Sequence, residues 1–95
     1  MITRKKLKYK HCVINKEKYY FYFIEWKDIL GDSGHCTSEE FDKMTSAIMH
    51  THAYIYDKGI KEVKTFASYD ANEEVFSDRN VIPRGCIIKM KRLEV

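Results

Sequence analysis

The strongest constraint on this chain is an alternation of side chains with period two, repeated along its length. In Lys6 to Ile14, Lys6, Lys8 and Lys10 point one way while Leu7, Tyr9 and His11 point the other. In Ile48 to Asp57, Met49, Thr51, Ala53 and Ile55 share one side, opposite His50, His52, Tyr54 and Tyr56. Glu62 to Tyr69 repeats the pattern, with Val63, Thr65 and Ala67 opposite Lys64, Phe66 and Ser68. Successive side chains of a β-strand leave opposite faces of a sheet, so each stretch reads as a half-buried strand. Tyr19 to Trp26 is a run of aromatics and Ile, residues that pack well on a pleated surface. Cys86 to Leu93 reads as a last strand, after Val81-Ile82-Pro83 has extended the chain and Gly85 has let it bend.

The connections fit this reading. Asn15 to Lys18 is polar and makes a hairpin turn between the first two strands. Gly31-Asp32-Ser33-Gly34 is a loop with an Asx-type turn former. Thr37 followed by Glu40 has the form of a capping box, so a short helix is expected from Ser38 to Met44. Phe41 and Met44 would share one face of it and pack on the sheet. Asp57-Lys58-Gly59 is a further turn, and polar Asp70 to Asn80 reads as a mobile loop. The expected fold is mainly β with one short helix, a small five-stranded antiparallel barrel, partly open, spanning residues 1–95 as one domain. Curling a sheet protects edges that would otherwise recruit other chains.

Composition narrows the function. Of the 95 residues, 33% are charged, and the longest apolar run, Tyr19 to Ile24, is too short to span a bilayer. No membrane partner is expected. No apolar core and small-residue cleavage site follow the basic N-terminus, so a cytoplasmic location is expected. Aromatics make up 14%, which helps a small domain whose buried fraction is low; oligomerisation is another remedy. Three cysteines, Cys12, Cys36 and Cys86, lack the even count of a disulfide framework and read as reduced thiols packed as small hydrophobes. The net charge of +3 is unevenly placed: Arg4, Lys5, Lys6, Lys8 and Lys10 crowd one end, and Lys89, Lys91 and Arg92 the other. If the two ends are neighbouring strands they form one basic face suited to a phosphate-bearing partner, although such runs commonly serve solubility alone.

Enzymatic signals are weak. His11-Cys12, His35-Cys36 and the pair His50 and His52 lack the spacing of zinc sites, so no metal and no cofactor is expected. Cys36 beside His35 is a neighbour in sequence only, and no nucleophile elbow is present. Glu25 and Asp28 could serve acid–base chemistry, but Asp28 is better read as capping its turn or pairing with Arg84 or a lysine. Glu39 and Glu40 belong to a helix start, where acids suit the dipole. The chain is therefore expected to bind rather than catalyse. Arg84, in the step Pro83-Arg84-Gly85, offers a planar fork to a phosphate; Lys89 and Lys91 add charge. Tyr20, Tyr22, Trp26, Tyr54 or Tyr56 could stack on a base if exposed. Most of these rings are needed inside, Trp26 above all.

Three motifs, in order, carry a resemblance. Trp26-Lys27-Asp28-Ile29 ends the aromatic strand; Ser33-Gly34-His35 precedes Thr37-Ser38-Glu39-Glu40-Phe41; and Ile82-Pro83-Arg84-Gly85-Cys86-Ile87 leads to Leu93. Together they resemble a group of small, uncharacterised proteins of tailed bacteriophages. That group shows a W-x-D strand, a Ser-Gly-aromatic turn, a short acidic helix and a terminal I-P-[KR]-x-x-I strand. The resemblance spans Tyr20 to Leu93, the first strand being an addition, and His35 stands where the group has Trp. It implies a non-enzymatic anti-defence protein in the host cytoplasm that sequesters a nucleotide immune signal, in a pocket at a homo-oligomer interface. The ligand-binding residues expected are Arg84, Trp26, Asp28, His35, Tyr54 and Lys89. Two rival readings remain, an inhibitor that covers a host defence enzyme and a barrel that binds nucleic acid.

Overall fold

The computed structural model describes residues 8–95; Arg4, Lys5, Lys6 and Leu7 of the basic, alternating first stretch lie outside them. Six strands form one antiparallel sheet: β1 (His11–Ile14), β2 (Glu17–Asp28), β3 (Ala47–Lys58), β4 (Glu62–Asp70), β5 (Val75–Pro83) and β6 (Ile87–Arg92), with a single short helix, α1 (Ser38–Asp42). The order is β1-β2-β3-β4-β5, and β6 returns to β2. No ladder joins β5 to β6 among the described residues, so the curled sheet stays open. This is the mainly β, partly open architecture expected, with one strand more than the alternation revealed. No helix among the described residues is long and apolar enough to cross a membrane.

The added strand is β5. Asp70 to Asn80 is not a loop beyond its first residues: β4 and β5 form a hairpin, paired from Glu62↔Pro83 to Asp70↔Val75. The polar run Ser77-Asp78-Arg79-Asn80 hides the strand because exposed strands need no apolar residues. Asp78, at φ 51°, also breaks the alternation. Ser68 Oγ secures that irregularity by donating to Asp78 Oδ2 at 2.6 Å.

β2 is the spine. One of its edges pairs with β3 from Phe21↔Tyr54 to Asp28↔Ala47. The opposite edge is shared: β1 takes residues Glu17 to Tyr20, and β6 takes Tyr22 to Trp26. Between them lies Phe21, where three backbone bonds close a ring. Phe21 N–H donates to the Lys10 carbonyl, Lys10 N–H to that of Leu93, and Leu93 N–H to that of Phe21, each at 2.9 Å. The two ends of the described chain therefore run side by side, with Tyr9 bridged to Glu94.

The alternation along β2 and β3 separates two small cores. Tyr22, Ile24, Ile55, Val63 and Ile82 are buried on the concave face, with Trp26, Ile87 and Met90 packed against them. Cys12, Ile14 and Phe66 form the second core, covered by Tyr19, Tyr54 and Phe76. Edge-to-face contacts such as Phe66–Phe76, with centroids 4.8 Å apart, suit the ring quadrupoles.

Two further sequence expectations are corrected. Thr37 does cap α1, accepting from the Glu40 amide at 3.2 Å, but the helix buries none of its residues and Phe41 is 64% exposed. The helix is too short, and its flanking loops too long, for it to be drawn onto the sheet. Of the cysteines, only Cys12 is fully buried; Cys86 is half-buried and Cys36 is exposed on the excursion between β2 and β3.

Candidate anion-binding site

Tyr22 is buried, yet its phenol oxygen reaches the end of the concave core, where two cations meet it. Lys58, the last residue of β3, donates through Nζ at 3.0 Å, and Arg92, the last of β6, donates through Nε at 3.3 Å. Register explains the meeting. Arg92 lies directly opposite Tyr22 across the β2–β6 ladder. The residue shift between Ile55 and Asp57 turns Lys58 toward the concave face. The Arg92 guanidinium also lies 3.9 Å from the centre of the Tyr20 ring and 5.3 Å from that of Tyr9, and Lys58 Nζ sits 4.9 Å from the Tyr22 ring. His11 meets Tyr20 edge-on at 5.7 Å.

The cluster is rich in donors. Tyr22 accepts from both cations, so its own O–H is left to donate, as are the remaining N–H groups of Lys58 and Arg92. Among the described residues the one basic side chain within ion-pair reach of a carboxylate is His50, 2.9 Å from Glu25 elsewhere on the sheet, and residues 1–7 contain no acid. Burial pushes the Tyr22 phenol up, but the hydrogen bonds and charges of Lys58 and Arg92 outweigh it, and the phenol ends below its ordinary value. Three donors converging from three strands, with neither cation paired to a carboxylate among the described residues, can hold an anionic oxygen.

The residues expected from the sequence are dispersed. Trp26 is half-buried against the concave core and donates through Nε1 to Thr51 Oγ1 at 2.9 Å. Asp28 ends β2 and caps the turn, its Oδ1 accepting from the Ile29 amide at 2.9 Å. His35 lies on the exposed excursion after β2. Tyr54 covers the second core, stacked on Phe66 with centroids 5.5 Å apart. Lys89 faces Glu25 across the β2–β6 ladder. Arg84 donates through Nε to the Gly59 carbonyl at 2.9 Å, and its own amide donates to the Lys61 carbonyl at 2.8 Å. It thus clips the β3–β4 turn to the end of β5. That turn admits only glycine at position 59, where a Cβ would stand 2.8 Å from the Glu62 carbonyl oxygen.

Trp26, Asp28 and Lys89 lie on β2 and β6, and Arg84 reaches the same region by donating through Nη1 to Met90 Sδ at 3.9 Å, whereas Tyr54 and His35 stand apart from it and from each other. In the sequence Arg92 belongs to a basic run and Tyr20 and Tyr22 are among the rings able to stack, whereas Lys58 reads as a turn residue. The available signal was the period-two face that Tyr20 and Tyr22 share, together with one cation in each strand that ends beside it. Among the described residues, no three His, Cys, Asp or Glu side chains converge as a metal site would require. No family model matches this chain, and no curated protein or solved structure matches it either.

Proposed function

We propose that this protein is a non-catalytic binder of a small phosphate-bearing ligand, a nucleotide, held at Tyr22, Lys58 and Arg92. The observation that supports the reading is the convergence of two cations and a phenol on one point, with neither cation paired to a carboxylate among the described residues. Phosphate oxygens would accept from all three donors, and Arg92 would keep its stacking on Tyr20 while it turns its free N–H edge outward. Tyr9, Tyr20 and His11 supply ring surface for a base beside the phosphate. The phage resemblance supplies the setting: stoichiometric capture of a nucleotide signal of bacterial immunity in the host cytoplasm, with no bond broken. Capture alone suffices when the dissociation constant lies below the working concentration of the signal.

Titration calorimetry with mononucleotides, linear and cyclic dinucleotides and inorganic pyrophosphate tests this. One nucleotide class should bind and should be recovered intact after the complex is heated. Arg92→Ala and Lys58→Ala should each weaken it by roughly 10-fold or more, the usual worth of a charge-assisted hydrogen bond. Recovery of a cleaved product would make the protein an enzyme. Absence of binding to every one of these phosphates would end the proposal.

A further inference from the structure

The excursion between β2 and β3, residues 29–46, is an arm without a core. Every residue in it is exposed except half-buried Met44. Its hydrogen bonds among the described residues close within the arm or onto Asp28, as with Gly34 N–H to Asp32 Oδ1 at 2.8 Å. Yet it carries Ile29, Leu30 and Phe41, exposed by 88%, 54% and 64%. It is also acidic. Asp32, Glu39, Glu40 and Asp42 against Lys43 give it net −3, so the rest of a chain of net +3 carries +6. A segment that displays large apolar groups and opposes the charge of its own body is built as a contact, since a free surface seldom gathers such groups in one place.

A groove of matching character lies on the β4–β5 hairpin. Tyr56, Phe66, Phe76 and Val81 line a hollow of about 720 Å³, and Lys64 and Arg79 stand on its wall. The register places Lys64 opposite Val81 and Phe66 opposite Arg79, so both cations share the face of the apolar floor. One acid is present, Glu74, and Asn15 Nδ2 donates to its Oε2 at 3.3 Å. The groove is thus apolar below and basic at its sides, and the arm carries exposed apolar side chains together with a net negative charge.

We infer that the arm of one copy of this chain docks in the β4–β5 groove of a second copy, with Phe41 seated against Tyr56 and Phe76, and with Glu40 and Asp42 facing Lys64 and Arg79. Charge complementarity selects the occupant: the arm opposes the sign of the body that carries the groove. The contact is between two different surfaces, so it closes as a pair when two arms exchange, or as a ring. It lies apart from the Tyr22 cluster, and its outcome does not depend on nucleotide binding.

Sedimentation velocity and native mass spectrometry of the full chain provide the test. The unaltered protein should assemble, and Phe41→Asp should leave a monomer with an unchanged far-ultraviolet spectrum. The double variant Lys64→Glu/Arg79→Glu should also be monomeric, as should Glu40→Lys/Asp42→Lys, and mixing those two should restore a one-to-one complex. An unaltered protein that stays monomeric well above micromolar concentration overturns the inference. So does an assembly that survives all three variants, or charge-reversed partners that fail to recombine while each remains folded.

Discussion

Trp26 and Thr51 are joined side chain to side chain across the β2–β3 ladder, the indole N–H donating to the threonine hydroxyl at 2.9 Å. The bond closes one end of the concave core, and Trp26 is the single tryptophan of the chain. Replacing Thr51 with Val keeps the shape and leaves the indole N–H without its acceptor. The expected cost is about 1–2 kcal/mol, read by urea unfolding followed through the Trp26 emission. An unchanged midpoint would mean that solvent already satisfies the indole.

Thr65 presents the opposite case. It is 1% exposed, on the same face of β4 as Val63, and its hydroxyl has no partner among the described residues. A buried unpartnered hydroxyl is unfavourable, and Val has the same outline without it. Thr65→Val should therefore stabilise the domain by about 1 kcal/mol, seen as a higher urea midpoint with an unchanged slope. A lower midpoint would show that the hydroxyl has a partner.

The β1–β2 turn holds local strain. Ile14 pairs with Glu17, so the loop is Asn15-Lys16 alone, and both residues have positive φ, 48° and 69°. Asn tolerates this region and Lys does not, which makes Asn-Gly the preferred pair for such a turn. Lys16→Gly should raise stability by roughly 1 kcal/mol by thermal or urea unfolding. A loss would mean that the added freedom of the unfolded chain outweighs the strain removed.

The tyrosines should ionise in separate stages. Tyr22 lies below its ordinary value once Lys58 and Arg92 have overcome its burial. Its phenolate thus forms before those of Tyr19 and Tyr54 as pH rises. The stability it contributes is present above the unfolded pKa and is lost as pH falls through the folded one. Burial raises Tyr54, and burial with the charges of Glu17 and Glu74 raises Tyr19. Those two hold their protons after the unfolded chain has released them, so they weaken the fold above the tyrosine range. Absorbance titration near 295 nm should show an early step that Tyr22→Phe removes, and a late step accompanied by unfolding. A single unresolved step in both proteins would contradict the cluster geometry.

What the sequence disclosed followed from local periodicity. Met49, Thr51, Ala53 and Ile55 do share a face, and Ala53 and Ile55 are buried there, because alternation is a property of one strand read alone. Thr37 announced its helix for the same reason, its capping partner lying within one turn. β5 escaped because its residues are almost all exposed, so burial left no imprint on them. The Tyr22 cluster escaped for another reason. Lys58, Tyr22 and Arg92 come from three strands, and only the pairing of β2 with β3 and β6 brings them together. The same limit applies to Arg84, whose neighbours in sequence gave no hint that Gly59 would claim its guanidinium.

The ring of bonds among Lys10, Phe21 and Leu93 also bears on how the chain reaches its native state. It ties together segments from near the two extremes of the sequence, and β2 lacks half of one edge until Ile87–Arg92 arrive. Closure between such distant segments is entropically slow, so refolding should occupy the millisecond-to-second range of sheet proteins. Until Ile87–Arg92 pair with it, the aromatic spine keeps that edge bare, and an unpaired strand edge in a partly folded chain invites aggregation.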